Sequence, residues 1–176
     1  MPTLWCPNVG RRANVRDVRT TTMIRVYMAA RFSRREELRS YAALLEQVPS
    51  VYLVAARWLT PDDADQGDNW KHDIETSRRW AEHDIQDIAS CDLFMLFTGA
   101  GINRGGHLVK YGMALVFGKR IAIIGPLENT FQMLAGNPPH AVGGIREIDH
   151  FDTFEAWKTH SSERLAPAPA TDDPTP

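Results

Sequence analysis

The sequence lacks most of the features that would assign it to a specialised class of protein. Its two cysteines, Cys6 and Cys91, lie far apart and do not have the spacing of metal ligands. This argues against a disulfide framework or a zinc site and favours a reducing compartment. No apolar run approaches the roughly 18 residues needed to cross a bilayer. The N-terminal arginines are not followed by the apolar segment of a secretory signal. We therefore expect a cytoplasmic protein.

A strong excess of one charge is also missing. The chain of 176 residues has 20 Lys and Arg against 22 Asp and Glu, which gives a net charge of −2. This balance supplies no electrostatic reason to expect a nucleic acid polymer or an anionic membrane as a partner. The length suits one domain with a complete hydrophobic core.

Both ends of the chain lack hydrophobic periodicity. Residues 1–22 contain proline, glycine and a run of threonines, and residues 161–176 are rich in alanine and proline. Segments of this kind have little apolar surface to bury. We predict a flexible extension over residues 1–22, a folded domain over 23–160 and a disordered tail over 161–176.

Between these ends the pattern alternates strand with helix. Short apolar runs with β-branched residues predict strands, and apolar residues at helical spacing predict helices. The strands are predicted at 24–30, 51–56, 92–97, 120–125 and 145–148, and the helices after Ser33 and near 70–88, 107–117, 129–134 and 153–160. Strands that are apolar throughout indicate a parallel sheet covered on both faces. Right-handed crossovers then predict a doubly wound, five-stranded α/β domain, Rossmann-like or flavodoxin-like.

Local signals refine the helices. Ser33 and Glu36 match a capping box ahead of the first helix, and Gly118 is predicted to end the third helix as its C′ residue. Residues 61–69 are acidic and turn-rich, which predicts an exposed loop. The apolar residues of the second helix are expected to face the core; they are Trp70, Ile74, Ala81, Ile85 and Ile88.

The predicted topology also places the site. In a doubly wound sheet ligands bind beyond the carboxyl ends of the strands, so the loops after Ala30, Phe97 and Gly125 should converge. None of these loops carries a P-loop or the G-x-G-x-x-G fingerprint, and we expect no cofactor and no metal.

The loop before the third helix could bind an anion. Gly105 and Gly106 permit a tight turn at a helix start, where unused backbone N–H groups favour negative charge. Arg104 beside them, together with Arg31 from the first loop, would add positive charge suited to phosphate. The alternative is that the two glycines simply connect a strand to a helix.

Other polar side chains near these loops each have an ordinary structural role as their alternative. They are Tyr27, Asp84, Asp92 and His107. A tyrosine in a buried strand is usually part of the core, and a carboxylate at the edge of a helix is usually solvated. The tryptophans Trp58, Trp70 and Trp80 are expected to pack the core or a subunit contact. Taken one by one, these residues do not indicate a function.

Their joint order is more informative. The chain reads Tyr-x-Ala-Ala-x-Phe at 27–32, then Asp-Ile-x-x-x-x-x-x-Asp at 84–92. At 105–119 it reads Gly-Gly-x-x-Val-x-x-Gly-x-Ala-x-x-x-Gly-Lys, and a Gly-Pro-x-Glu-Asn segment follows at 125–129. In this order the motifs resemble the nucleoside 2-deoxyribosyltransferase family, over about residues 23–160. The resemblance implies a homo-oligomer with shared sites that acts on 2′-deoxynucleosides or their monophosphates.

The resemblance also implies roles for individual residues. In the family, a glutamate on the helix after the third strand attacks C1′ and forms a covalent deoxyribosyl-enzyme. Tyr27 matches the tyrosine that holds this nucleophile, and Asp84 matches the aspartate that binds or protonates the base. Asn129 resembles an asparagine lent across a subunit interface to the 5′ end of the sugar. A second acidic residue that binds the base in the family has no clear match in this chain, and Arg104 lies near its place.

The nucleophile position itself is occupied by Lys110. The family motif Val-Glu-x-Gly reads Val109-Lys110-Tyr111-Gly112 in this chain. Positive charge develops at C1′ in the transition state, and two unit charges about 4 Å apart interact by about 4 kcal/mol at an effective dielectric near 20. Since about 1.4 kcal/mol corresponds to a tenfold rate, an ammonium here is expected to lower the rate by orders of magnitude.

Two functions follow as alternatives. The first is a transferase or N-glycosidase of this family whose activity is lost or altered. It could be rescued by a desolvated Lys110 as nucleophile or by Asp84 activating water. The second is an inactive nucleotide-binding or regulatory protein that kept the pocket.

Overall fold

A computed structural model of the chain describes residues 23–48, 51–60, 74–99, 105–136 and 147–165. Five strands lie in this part of the chain: β1 (Ile24–Ala29), β2 (Tyr52–Val54), β3 (Leu93–Phe97), β4 (Arg120–Ile124) and β5 (Ile148–Phe151). The α-helices there are α1 (Arg35–Glu46), α2 (Ile74–Ser90), α3 (Gly106–Val116) and α4 (Phe154–Leu165). Short 3-10 helices span Phe32–Arg34, Arg57–Leu59 and Thr130–Leu134. No helix within the described ranges is long and apolar enough to cross a membrane.

The strands form one sheet in the order β2-β1-β3-β4-β5, and every neighbouring pair is parallel. Helices α1 and α4 cover one face, since Tyr41 stacks on both Phe97 and Phe154. Helices α2 and α3 pack together on the other face. The predicted five-stranded α/β fold with helices on both faces is therefore confirmed. The strand order reverses between β1 and β3, which is where such sheets open a crevice for ligands.

The central strands form the floor of the domain. Val26 to Ala29 in β1 and Phe94 to Phe97 in β3 have no exposed surface. These strands are apolar on both sides because each side packs under helices. Tyr27 lies beside Phe94 in the register and stacks on it, with ring centroids 5.6 Å apart. A polar hydroxyl is thus carried into the core on the α2–α3 face.

The predicted capping box does not form. Ser33 lies inside the 3-10 helix Phe32–Arg34, and α1 begins two residues later at Arg35 with no side-chain cap. Glu36 pairs instead with Arg39, at 2.6 Å. The tighter turn is held by Arg34, whose backbone N–H donates to Arg31 and whose guanidinium donates to the Thr98 carbonyl. These tertiary contacts outweigh the local capping signal.

Several predicted segments differ from the observed ones by one or two residues at an end, and two differ by more. The fifth strand is Ile148–Phe151 rather than 145–148, because it pairs with β4 from Ile121↔Ile148 onward. The last helix runs to Leu165 rather than ending at residue 160. The predicted acidic loop at 61–69 lies outside the described residues, as do the segments 1–22 and 166–176. The helix contradicts the predicted disordered tail at residues 161–165, while the extension at 1–22 and the tail at 166–176 remain predictions.

The expected apolar stripe on α2 is wrong in part. Ile88 is fully buried, but Ile74 is 79% exposed, Ile85 is 41% exposed, and Ala81 is exposed as well. The buried face of α2 instead carries Asp87, which accepts hydrogen bonds from the backbone and side chain of Arg57 at 3.0 and 2.9 Å. The helix is positioned by this ion pair as well as by apolar packing. The fifth residue of the stripe, Trp70, lies outside the described residues.

The end of α3 agrees with the sequence prediction. Gly118 has a φ of 61°, and its N–H donates to Leu115 while that of Lys119 donates to Ala114. This left-handed C′ glycine closes the helix and turns the chain into β4.

Gly125, at the end of β4, allows a close backbone approach beside the crevice. Its φ is 106°, and an added Cβ would lie 2.8 Å from Thr98 Oγ1 and 2.9 Å from the Thr98 carbonyl oxygen. We expect Gly125→Ala to lower the free energy of unfolding by roughly 2 to 4 kcal/mol, from strain and overpacking together. Urea unfolding measures this loss.

The matched control is Gly112→Ala, in the middle of α3. No atom lies within 4 Å of a Cβ added there, and the backbone is helical. Alanine should stabilise this position by about 0.5 to 1 kcal/mol. Equal effects of the two substitutions would contradict the assigned role of Gly125.

Candidate active site

Three charged or polar side chains meet where β1 and β3 end. Tyr27 comes from β1, Asp84 from α2 and Lys110 from α3. The Tyr27 hydroxyl donates to Asp84 Oδ1 at 2.5 Å, and Lys110 Nζ donates to Asp84 Oδ2 at 2.8 Å. Both oxygens of the carboxylate are therefore held, each by a group from a different element. We call these three residues the lysine cluster.

Aromatic rings surround the ammonium of the lysine cluster. Lys110 Nζ lies 5.2 Å from the centroid of the Trp58 ring and 5.8 Å from that of Tyr27. Trp58 is itself fixed, because its indole N–H donates to the Met28 carbonyl at 2.8 Å. Cation–π attraction and the ion pair with Asp84 together hold the Lys110 ammonium in this position.

Burial determines the proton state of Tyr27. Desolvation raises the pKa of Tyr27 well above its usual value of 10.0, and the negative charge of Asp84 raises it further. The phenol therefore keeps its proton at neutral pH and acts as a donor. Asp84 Oδ1 is the acceptor of this hydrogen bond.

This arrangement favours neither of the two alternative reactions, with Lys110 as the nucleophile or with Asp84 activating water. A lysine ammonium has no lone pair with which to attack C1′, and Lys110 is paired with Asp84 at 2.8 Å. Both oxygens of Asp84 are engaged by Tyr27 and Lys110, so a water molecule would have to displace one of these partners to reach the carboxylate. The lysine cluster is suited to contact a ligand through side chains whose charges are already paired.

A second group of residues, the glutamate cluster, lies further toward the start of α3. Arg31 Nη2 and the backbone N–H of Gly99 both donate to Glu128 Oε1, each at 3.0 Å. His107 Nε2 lies 3.9 Å from Glu128 Oε2. His107 and Lys110 are three residues apart on α3, so the two clusters share one face of this helix.

His107 is neutral in this environment. Burial lowers the pKa of His107 below 6.5, and the positive charge of Arg31 lowers it further. Its side chain is only 2% exposed. His107 is therefore not a surface residue, because α3 turns the ring into the domain.

Asn129 has a clear local role. Its Oδ1 accepts hydrogen bonds from the backbone N–H groups of Phe131 and Gln132, at 3.0 and 3.2 Å, and so caps the 3-10 helix Thr130–Leu134. The Tyr111 hydroxyl ties this helix to α3 by donating to the Phe131 carbonyl at 2.9 Å. The role implied by the resemblance, contact with the sugar of a partner subunit, stays a prediction.

The structure thus brings most of the sequence-predicted site residues to one edge of the sheet. The lysine cluster contains Tyr27, Asp84 and Lys110, while Arg31 and His107 line the glutamate cluster. Gly105, with a φ of 80°, and Gly106 form the start of α3 beside them. Arg104 lies outside the described residues.

Two residues of this region were not predicted from the sequence to belong to the site. Glu128 stands in the Gly-Pro-x-Glu-Asn segment after β4, and its position beyond a strand end was a usable signal. Trp58 had no such signal, because the 3-10 helix that carries it is not apparent from periodicity. Asp92 lies elsewhere: its Oδ2 accepts from the backbone N–H of Arg25, at the opposite edge of the sheet.

Fold and site together define a parallel α/β protein with a polar site at the carboxyl edge of its sheet. No protein-family model matches the chain, and no curated protein matches it either. Among solved structures, the CMP N-glycosidase BcmB of Clostridium botulinum is similar to it at 18% identity. The match covers 79% of this chain and 98% of that one, with a TM-score of 0.46.

The raised pKa of Tyr27 predicts a loss of stability in alkali. The unfolded chain releases the phenolic proton near pH 10, whereas the folded chain retains it. The stability from this group is complete below pH 10 and falls above it, by at most about 1.4 kcal/mol for each pH unit. In urea unfolding, Tyr27→Phe should therefore lose less free energy between pH 8 and pH 11 than the unchanged protein. The same loss in both proteins would contradict the assigned state of Tyr27.

Proposed function

We propose that this protein binds a 2′-deoxynucleoside or its monophosphate at the carboxyl edge of the sheet. In this proposal it is built as an enzyme that cleaves or exchanges N-glycosidic bonds, and Lys110 suppresses the reaction. The observation that carries the proposal is the ion pair between Lys110 and Asp84, at 2.8 Å, in the place where the reaction needs a free carboxylate. The motif resemblance supports the ligand class.

The geometry of the lysine cluster supports the proposal that the site is built for reactions at N-glycosidic bonds. Tyr27 and Asp84 are joined as a hydrogen-bonded pair, and both lie next to residue 110. A hydroxyl and a carboxylate at this distance from the nucleophile position suit the positioning and base-binding roles that the resemblance implies. The ring of Trp58 completes one wall of this region.

The charge of Lys110 supports the proposal that this residue suppresses the reaction. A retaining transfer needs a carboxylate that both stabilises the developing charge at C1′ and forms the covalent bond. An ammonium forms no such bond in its charged form and repels the developing charge. The carboxylate of Asp84 offsets part of this repulsion, but it is committed to Tyr27 and Lys110.

A slow hydrolase is the second candidate. The observation in its favour is that Asp84 remains fixed by Tyr27, which would keep it oriented if Lys110 moved away on binding. Asp84 would then act as a general base toward water rather than as a nucleophile. The two candidates differ in whether neutralising residue 110 alone releases base.

Substitutions at residue 110 test the proposal directly. The protein is incubated with 2′-deoxynucleosides and their monophosphates, free base is followed by chromatography, and binding is measured by calorimetry. We expect binding without measurable base release by the unchanged chain, and release by Lys110→Glu that is at least about a thousandfold faster, or about 4 kcal/mol in barrier. Lys110→Gln should bind and remain inactive.

The control is Lys158→Glu, on the exposed surface of α4, where Lys158 pairs with Glu155. It makes the same change of charge away from the site and should leave binding and base release unchanged. Release by Lys110→Gln as fast as by Lys110→Glu would favour the hydrolase. No ligand binding by any variant would contradict the proposed function.

We further propose that the protein self-associates through the surface next to this site, as the resemblance implies. Exposed apolar side chains on α3 and on the 3-10 helix Thr130–Leu134 form the surface in question. They are Val109, Val116, Phe117, Phe131 and Met133. Their exposure supports a second copy as the occupant, because an apolar surface of this kind is costly to leave in water. Asn129 lies at the start of the same 3-10 helix.

Sedimentation of charge-bearing variants tests this. Val116 is 81% exposed, and Val116→Asp should shift the protein to the monomer without unfolding it. Leu44 on α1, 38% exposed and on the other face of the sheet, provides the control Leu44→Asp. A monomeric unchanged protein, or equal dissociation by both variants, would contradict the proposal.

A further inference from the structure

Glu128 places a carboxylate in the middle of a group of hydrogen-bond donors. Arg31 Nη2 and the Gly99 N–H reach its Oε1, each at 3.0 Å, and His107 Nε2 lies 3.9 Å from its Oε2. These donors come from the loops after β1 and β3 and from the first turn of α3. Glu128 itself comes from the loop after β4, so all three predicted loops contribute.

The donors exceed what Glu128 uses. Arg31 Nε, Arg31 Nη1 and His107 Nε2 are buried and have no hydrogen-bond partner among the described residues. The Arg31 side chain is only 10% exposed, and that of His107 only 2%. Buried polar groups of this kind are normally satisfied, so unmet donors around one carboxylate indicate a position built for an anion. The positive end of the α3 dipole adds to it.

The charges at this position leave a remainder of only about half a positive charge. Arg31 contributes one positive charge and the start of α3 roughly half of one. His107 is neutral, and Glu128 contributes one negative charge. A phosphate with close to two negative charges would have to displace the Glu128 carboxylate or lie against it, and either arrangement is unfavourable.

Glu128 is also held firmly in this position. Its backbone N–H donates to the side chain of Gln132 at 2.6 Å, and Gln132 is fully buried. Asn129 caps the adjoining 3-10 helix. Moving the carboxylate away would therefore break its contacts with Arg31 and Gly99 while its backbone stays fixed.

We propose that Glu128 determines ligand specificity by occupying, from within the protein, the anion position formed by Arg31, Gly99 and His107. The site then takes a ligand whose group at this position is uncharged, such as the 5′-hydroxyl of a nucleoside, in preference to a 5′-phosphate. The identity of the nucleoside rests on the proposed function. The anion position does not, and it is tested without a nucleoside.

The probe is inorganic phosphate, with binding measured by calorimetry on the full chain. Glu128→Gln keeps the shape and both acceptor contacts of the side chain but removes its charge. We expect it to bind phosphate at least about tenfold more tightly than the unchanged protein, or about 1.4 kcal/mol. Adding Arg31→Gln to this variant should abolish the gain. The control Glu75→Gln, at an exposed pair with Arg78, should bind phosphate no better than the unchanged protein.

A measurement on the unchanged protein keeps the test decisive if the variant fails to fold. Phosphate binding by the unchanged chain as tight as that of a nucleoside, or tighter binding of a monophosphate than of its nucleoside, would overturn the proposal. So would equal phosphate binding by a folded Glu128→Gln and the unchanged protein. A gain of phosphate binding by Glu128→Gln with no nucleoside binding by any variant would overturn the proposed function and leave the role of Glu128 standing.

Discussion

The hydrogen-bonded chain from Tyr27 through Asp84 to Lys110 is the interaction on which the site depends. It joins β1, α2 and α3, and it does so over the point where the strand order of the sheet reverses. Tyr27 is fixed by complete burial and by stacking on Phe94. The carboxylate of Asp84 therefore has a fixed donor on one side and the ammonium on the other. A ligand entering this crevice meets a neutralised pair rather than a free carboxylate.

The two clusters on α3 follow the same physical rule. In each, a carboxylate and a cation are partly removed from water together, and their attraction offsets part of the cost of desolvation. Lys110 meets Asp84 in one, and Arg31 meets Glu128 in the other. Under the two proposals, pairing removes the free charge that a glycosyl transfer would need in the first cluster and that phosphate binding would need in the second.

Much of the fold followed from sequence pattern. Apolar strands alternating with helices predicted the five-stranded parallel sheet, and Gly118 predicted the end of α3, because these features depend on local periodicity and backbone conformation. The errors came where tertiary contacts override local signals. Arg34 reaches across to Thr98 and replaces the expected cap at Ser33, while the ion pair of Arg57 with Asp87 turns Ile85 toward solvent.

By itself, the sequence determined which residues could take part in the site, and the resemblance implies that Lys110 stands at the position of the family's nucleophile. Order along the chain singled out Tyr27, Asp84 and Lys110, which the structure brings into contact. Only the tertiary structure decided how they are paired, since Asp84 and Lys110 are 26 positions apart and meet because α2 and α3 pack side by side. The same holds for Glu128, whose carboxylate pairs with Arg31 because the loops after β4 and β1 meet at one edge of the sheet. Partners in charge pairs are set by packing, and no periodicity along the chain encodes them.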